Sequence, residues 1–198
     1  MDYDWEYRVD TTSATVSWRT RLLGLLNSPY QPIEPQLFRE MMSCLQINFS
    51  RFTFVDIGSG KGRALLLAAE YPFRRILGVE ILPELNEIAL KNVRKLADGQ
   101  KEPAEIHAIC ADATTFSFPL DPLVILLFNP LPEASLKIMV SNLEQSLRDH
   151  PRPMHLLYAN PLLAHALEHR SLLQQETGNH RYDVFSARVP AGHESQEA

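Results

Sequence analysis

The run Phe52-Thr53-Phe54-Val55-Asp56-Ile57, followed at once by Gly58-Ser59-Gly60-Lys61-Gly62, constrains this chain more than any other stretch of it. Six residues rich in β-formers meet three glycines at alternate positions. Arg63 to Tyr71, rich in Ala and Leu, then reads as a helix. Glycines between a strand and a helix let the backbone turn tightly and approach a ligand closely, because no Cβ stands in the way. The rhythm repeats downstream. Arg75 to Glu80, Glu105 to Ile109, Leu123 to Phe128 and Met154 to Tyr158 read as strands, and Leu123 to Phe128 is wholly apolar, as a central parallel strand should be. Between them lie helical patterns from Pro83 (Leu85, Ile88, Ala89, Val93, Leu96) and from Glu133 to Leu147, with a short helix expected over Leu162 to His169. Leu172 to Glu176 and Tyr182 to Arg188 flank Thr177-Gly178-Asn179-His180, a hairpin signal. The expectation is an α/β fold with a doubly wound, mostly parallel seven-strand sheet. Such sheets bind ligands beyond the C-terminal strand ends, where strand order reverses.

Upstream, residues 1–12 show no period. Ser13 to Leu26 has helical spacing, the prolines of Asn27-Ser28-Pro29-Tyr30-Gln31-Pro32 break it, and Pro35 opens a helix with Leu37, Phe38, Met41, Met42 and Leu45 on one face. The predicted organisation is a helical cap over 1–50, a ligand-binding domain over 51–189 and a polar, disordered tail over 190–198. With 198 residues, 45% apolar and 22% charged, the chain suits one globular domain. The net charge of −5 argues against nucleic acid as a partner, since a tight nonspecific binder is basic. No stretch of 18 apolar residues and no signal peptide is present, which predicts a cytoplasmic protein away from membranes, with Cys44 and Cys110 as buried, reduced thiols.

Three readings compete for the glycine loop. A phosphate-binding P-loop needs Gly-Lys followed by Ser or Thr, and Gly62 follows Lys61. A dinucleotide fingerprint needs Gly or Ala at the sixth position from Gly58, where Arg63 stands. A plain connecting turn would not call for three alternating glycines. Glu80 closes the second strand, 20 positions after Gly60, where an acid can accept hydrogen bonds from both ribose hydroxyls of an adenosine. Asp112, after the third strand, can accept from an adenine amino group. Of the seven histidines, His165 and His169 are spaced i, i+4 without a third metal ligand, and His155 is the best candidate base.

Val55-Asp56-Ile57-Gly58-Ser59-Gly60-Lys61-Gly62-Arg63, Gly78-Val79-Glu80 and Ala111-Asp112-Ala113 together resemble the class I, seven-strand S-adenosylmethionine-dependent methyltransferases over about residues 50–188. The resemblance implies a cofactor, S-adenosylmethionine, held by Gly58, Gly60 and Gly62 at its methionine part with Asp56 near the amino group, by Glu80 at the ribose, and by Asp112 and Ala113 at the adenine, with Ser59 and Ile81 as further cofactor-binding residues. It implies no metal. Asn129-Pro130 at the fourth strand end is similar to the Asn/Asp-Pro-Pro-aromatic motif of amine-methylating members, although Leu131 and Pro132 depart from it. By that likeness Asn129 and Pro130 are the catalytic pair that aims an amine at the methyl group, and Asn129 also borders the cofactor. Tyr30-Gln31-Pro32 is loosely similar to lysine methyltransferases of the histone telomeric-silencing type, which would make Tyr30 a lid over the cofactor. Asn160, after the fifth strand, is a further candidate for the acceptor pocket. The implied function is methyl transfer to an amine, a protein lysine or a small amine. A non-catalytic cofactor-binding module and a nicotinamide-dependent oxidoreductase are the alternatives. Neither the acceptor molecule nor the oligomeric state follows from the residues.

Overall fold

The computed structural model describes residues 3–12, 31–98, 104–128, 131–168 and 170–187. The helix expected over Ser13 to Leu26, Tyr30, the Asn129-Pro130 pair, His169 and the tail lie outside the described residues. Among those described, the chain runs α1 (Tyr3–Tyr7), α2 (Pro35–Ser43), a 3₁₀ turn (Phe49–Arg51), β1 (Thr53–Ile57), α3 (Arg63–Ala68), β2 (Arg75–Glu80), α4 (Pro83–Asp98), β3 (Ile106–Cys110), β4 (Leu123–Phe128), α5 (Glu133–Asp149), β5 (Met154–Ala159), a 3₁₀ turn (Ala164–Ala166), β6 (Leu173–Gly178) and β7 (Tyr182–Ala187).

The seven strands form one sheet in the order β3-β2-β1-β4-β5-β7-β6. β1 to β5 are parallel, and β7 runs antiparallel to both neighbours. Only one strand is therefore reversed, since β6, antiparallel to β7, points the same way as β5. Strand order changes direction between β1 and β4, so the crevice expected of a doubly wound sheet opens at their C-terminal ends.

Side-chain alternation divides the core in two. Phe54, Ile76, Val124 and Leu126 face α2 and α3, whose Phe38, Met41, Leu65 and Leu67 are fully buried. Val55, Ile57, Ile125 and Leu127 face α5, which buries Leu136, Met139, Val140, Leu143 and Leu147, the positions its sequence period picked out. Each fully buried large aliphatic side chain contributes about 1.5–3 kcal/mol. Two short expectations fail. The helix over Leu162 to His169 is only the turn Ala164–Ala166, because Pro161 and a single turn's worth of apolar contact do not sustain a helix. Cys44 and Cys110 are exposed free thiols rather than buried ones, and Cys44 Sγ lies 3.5 Å from the Tyr182 hydroxyl.

At the outer edge β6 is exposed beyond Leu173, and its register with β7 shifts between Gln175 and Thr177. No helix among the described residues is long and apolar enough to cross a membrane.

Candidate active site

The loop after β1 is shaped by backbone bonds. Gly58 and Ser59 both donate their N–H groups to the Val79 carbonyl, at 2.8 and 3.1 Å, which folds the loop back over β2. Gly58, Gly60 and Gly62 all have positive φ, at 77°, 52° and 84°, a region that costs other L-residues about 1–2 kcal/mol each. Gly62 then caps α3. Gly78, in the middle of β2, serves the same loop differently. A Cβ there would come within 2.7 Å of Leu65 and 2.8 Å of Ser59 Oγ. The alternating glycines were legible; the dependence of Ser59 on Gly78 was not.

Glu80 is 5% exposed, so it is no solvated strand end. Its Oε2 accepts from Gly60 N–H at 2.8 Å and its Oε1 from Leu82 N–H at 2.9 Å. Burial pushes its carboxyl up, and those backbone donors pull the other way. Asp56 sits in register with Gly78, on the same sheet face as Glu80. Burial, with the Glu80 charge adding to it, raises the Asp56 carboxyl to about 8. A narrow crevice beside it is lined by Gln31, Pro32 and Ile33, by Gly58, Ser59 and Arg63, and across the switch point by Leu126 and Phe128. Asp112 is exposed after β3; its Oδ1 accepts from both the N–H and the hydroxyl of Thr114. Ala113 is buried nearby and Ile81 is 39% exposed.

Lys61 and Arg63, to which the resemblance gave no role, are buried at 3% and 8% exposure. Their charges are met by residues 3–12. Asp10 Oδ1 lies 2.5 Å from Lys61 Nζ, and Asp4 Oδ1 accepts from Arg63 Nη2 at 3.1 Å. Burial alone would raise the Asp4 carboxyl, but hydrogen bonds from Thr11, Thr12 and Arg63 outweigh it and bring it down to about 2.

The model of the family described as "Putative methyltransferase" matches residues 50–140, the stretch that contains this loop, Glu80 and Asp112. That match spans a little under half of the chain; with the seven-strand sheet it marks the chain as a methyltransferase similar in fold to the class I S-adenosylmethionine-dependent enzymes. No curated protein sequence matches this methyltransferase. Among similar solved structures are the ribosomal protein L11 methylase of Lactobacillus delbrueckii subsp. bulgaricus (15% identity, 78% of this chain and 77% of that one, TM-score 0.53), a "predicted N6-adenine-specific DNA methylase" from Listeria monocytogenes (14%, 84% and 54%, TM-score 0.58) and the 23S rRNA methyltransferase ErmE (13%, 81% and 69%, TM-score 0.52). At such identities these likenesses bear on the fold. The family sets aside the nicotinamide-dependent oxidoreductase.

S-adenosylmethionine is the cofactor of this methyltransferase, and the donor set of the crevice suits it. A carboxylate offers about four lone pairs, and Glu80 meets three backbone N–H groups, those of Gly60, Leu82 and Ile81, which leaves acceptor capacity for a ribose hydroxyl. Asp112 has spent Oδ1 on Thr114 and keeps Oδ2 for an amino group. Ile81, 39% exposed after β2, offers apolar surface at that strand end. Ser59 Oγ is buried without a hydrogen-bond partner.

The histidine candidates do not join the site. His155 lies near the N-terminal end of β5, 5.9 Å from the Phe52 ring, at the opposite end of the strands from the crevice, and burial lowers its affinity for a proton. His165 pairs with Glu133 at 3.2 Å. Among the described residues no group of His, Cys, Asp and Glu could hold a metal. Asn160 does stand at the C-terminal end of β5, in the left-handed region at φ 48°, its N–H bonded to the Arg181 carbonyl at 2.7 Å.

Proposed function

We propose that this methyltransferase methylates an amine nitrogen, with a protein lysine as the favoured acceptor, and that Asn129 and Pro130 orient it. One observation carries the reading. Phe128, the last residue of β4, lines the crevice together with Asp56 and Gly58. Asn129 and Pro130 follow Phe128 directly in the sequence. The cofactor supplies an electrophilic methyl group open to in-line displacement. The side-chain oxygen of Asn129 and the carbonyl of Pro130 would accept from the N–H groups of the amine, which turns its lone pair toward that methyl. Such positioning is worth up to two orders of magnitude in rate. An amine that arrives neutral needs no base.

The reading extends to the rest of the chain. Residues 1–50 act as a cap on the 51–189 domain, since α2 packs on the sheet and Gln31 to Ile33 lie along the crevice. Tyr30, one residue before, would serve as the lid. A cytoplasmic location belongs to the same reading. The argument from net charge against nucleic acid does not stand. The field in one groove need not follow the charge of the whole chain, and two of the solved neighbours are named as DNA and rRNA methylating enzymes. Nucleic acid is therefore an arm of the test.

The test is a screen of lysine-bearing proteins, free amines and nucleic acids for product, followed by Asn129→Ala on the acceptor found. The variant should keep its S-adenosylmethionine affinity and lose at least tenfold in methylation rate. Wild-type turnover by Asn129→Ala removes the amine assignment. Product on an oxygen or carbon acceptor does the same, and cofactor binding without product on any acceptor would leave a cofactor-binding module.

A further inference from the structure

The side chains of Lys61 and Arg63 flank Gly62 and are only 4% and 9% exposed. An ammonium and a guanidinium taken out of water are costly unless each is paired. Both are paired by one short segment far away in sequence. Arg63 Nε donates to Thr11 Oγ1 at 2.6 Å, and its Nη2 donates to Asp4 Oδ1 at 3.1 Å and Thr12 Oγ1 at 2.8 Å. The guanidinium stands 5.1 Å above the Tyr3 ring. Lys61 Nζ reaches Asp10 at 2.5 Å. Asn92, 1% exposed in α4, ties the two together: its Oδ1 accepts from Asp10 N–H at 3.0 Å, and its Nδ2 donates to the carbonyls of Asp10 at 2.9 Å and Lys61 at 3.0 Å. The segment is closed on itself by Asp4, which accepts from the N–H groups of Thr11 and Thr12 and from the Thr11 hydroxyl. Arg63 in turn lines the crevice beside Asp56, Gly58 and Ser59.

We infer that residues 3–12 form a strap that sets the cofactor loop, latched by the Asp4–Arg63 pair, so that Asp4 governs S-adenosylmethionine affinity without touching the cofactor. Arg63 is a positioning residue. It starts α3 directly after the three left-handed glycines, and its fork fixes the direction in which that loop leaves β1. A loop of glycines has many conformations to lose on binding a ligand. The strap removes them beforehand, which is preorganisation. The inference rests on the placement of S-adenosylmethionine in this crevice.

The coupling must run both ways: if the latch strengthens cofactor binding, the cofactor strengthens the latch by the same factor. The experiment uses the full chain. Calorimetric titration with S-adenosylmethionine should show Kd raised about tenfold in Asp4→Asn and in Arg63→Lys, which keeps the charge but loses the fork. The double variant should be little worse than either single one. Hydrogen exchange at the Thr11 and Thr12 amides of the wild-type chain should slow when S-adenosylmethionine is added, by a similar factor. A strap that is merely structural would lower Tm in Asp4→Asn, bind the cofactor with wild-type affinity and show no change in exchange at residues 11 and 12; that result overturns the inference. Should Asp4→Asn fail to fold, Thr12→Ala removes only a hydroxyl that meets Arg63 and Asp4 at an exposed position, and it should raise Kd two- to fivefold; wild-type Kd there overturns the inference equally. Absence of binding to the wild-type chain would instead overturn the placement of the cofactor.

Discussion

The ends of β1 and β2 and the ends of β4 and β5 face the same crevice, yet they are built by different means. The first pair is made of backbone: glycines at positive φ, two N–H groups on the Val79 carbonyl, and a buried acid whose oxygens are each engaged by another N–H. The second pair ends in side chains: Phe128 lines the crevice at the end of β4, and Asn160 follows the end of β5. A backbone-built site tolerates little variation and suits a ligand that never changes. A side-chain site can be rewritten by substitution without disturbing the sheet. One half of the crevice is thus fixed by the backbone, while the other can change with its side chains, and the acceptor is to be found by experiment.

This contrast can be broken most directly at Gly60. Gly60→Val should abolish cofactor binding in calorimetry while circular dichroism stays that of the wild type, because a β-branched residue at φ 52° is strained and its side chain fills ligand space. If the variant unfolds, the loop is a structural element and the contrast fails. A smaller effect is expected at Glu80. Glu80→Ala removes a charged acceptor, worth roughly 1.5–3 kcal/mol, so Kd should rise about 10- to 100-fold. The structure adds that this variant also frees the Gly60 N–H, so loop exchange should quicken as well. Unchanged affinity would move the ribose contact elsewhere.

The mildest effect is on pH. The folded carboxyl of Asp56 is raised from 3.8 to about 8, so the ligand-free fold holds a proton that the unfolded chain gives up more easily. Its contribution is fully present below about pH 4 and is lost as pH rises through about 8. Thermal melts of the ligand-free protein should thus show Tm falling over that window, more gently in Asp56→Asn. An equal slope in both proteins would mean that Asp56 is ionised in the fold.

Much of the cofactor half was legible because its requirements are local. Alternating glycines, an apolar strand and an acid at the next strand end lie within 30 residues and each has its own chemical reason. The same holds for α5, whose buried positions follow its period. What stayed hidden depends on distant partners. Nothing near Lys61 and Arg63 in the sequence signals their burial; Asp4, Asp10 and Thr11, about 50 residues upstream, pair them. Asn92 broke the apolar period of α4 and drew no notice, yet it is more buried than Ile88, which the period selected. Gly78 reads as an ordinary strand residue until Ser59 and Leu65 occupy the space of its missing Cβ. The cysteines misled because free thiols are commonly buried, and here neither lies on an inward face.

The displaced register of β6 has a consequence for how the protein behaves at high concentration. An edge strand with free N–H and C=O groups is a template on which another chain can add, and a flat, apolar edge invites stacking of sheets from copy to copy. The irregularity between Gln175 and Thr177 interrupts the even ladder that such an added strand would need, and Glu176 stands at that point. Everything beyond Leu173 on this strand is exposed and polar or glycine. The seventh strand in space thus works as an end-stop against self-templating, and restoring an even, uncharged edge there would be expected to favour fibrous aggregates.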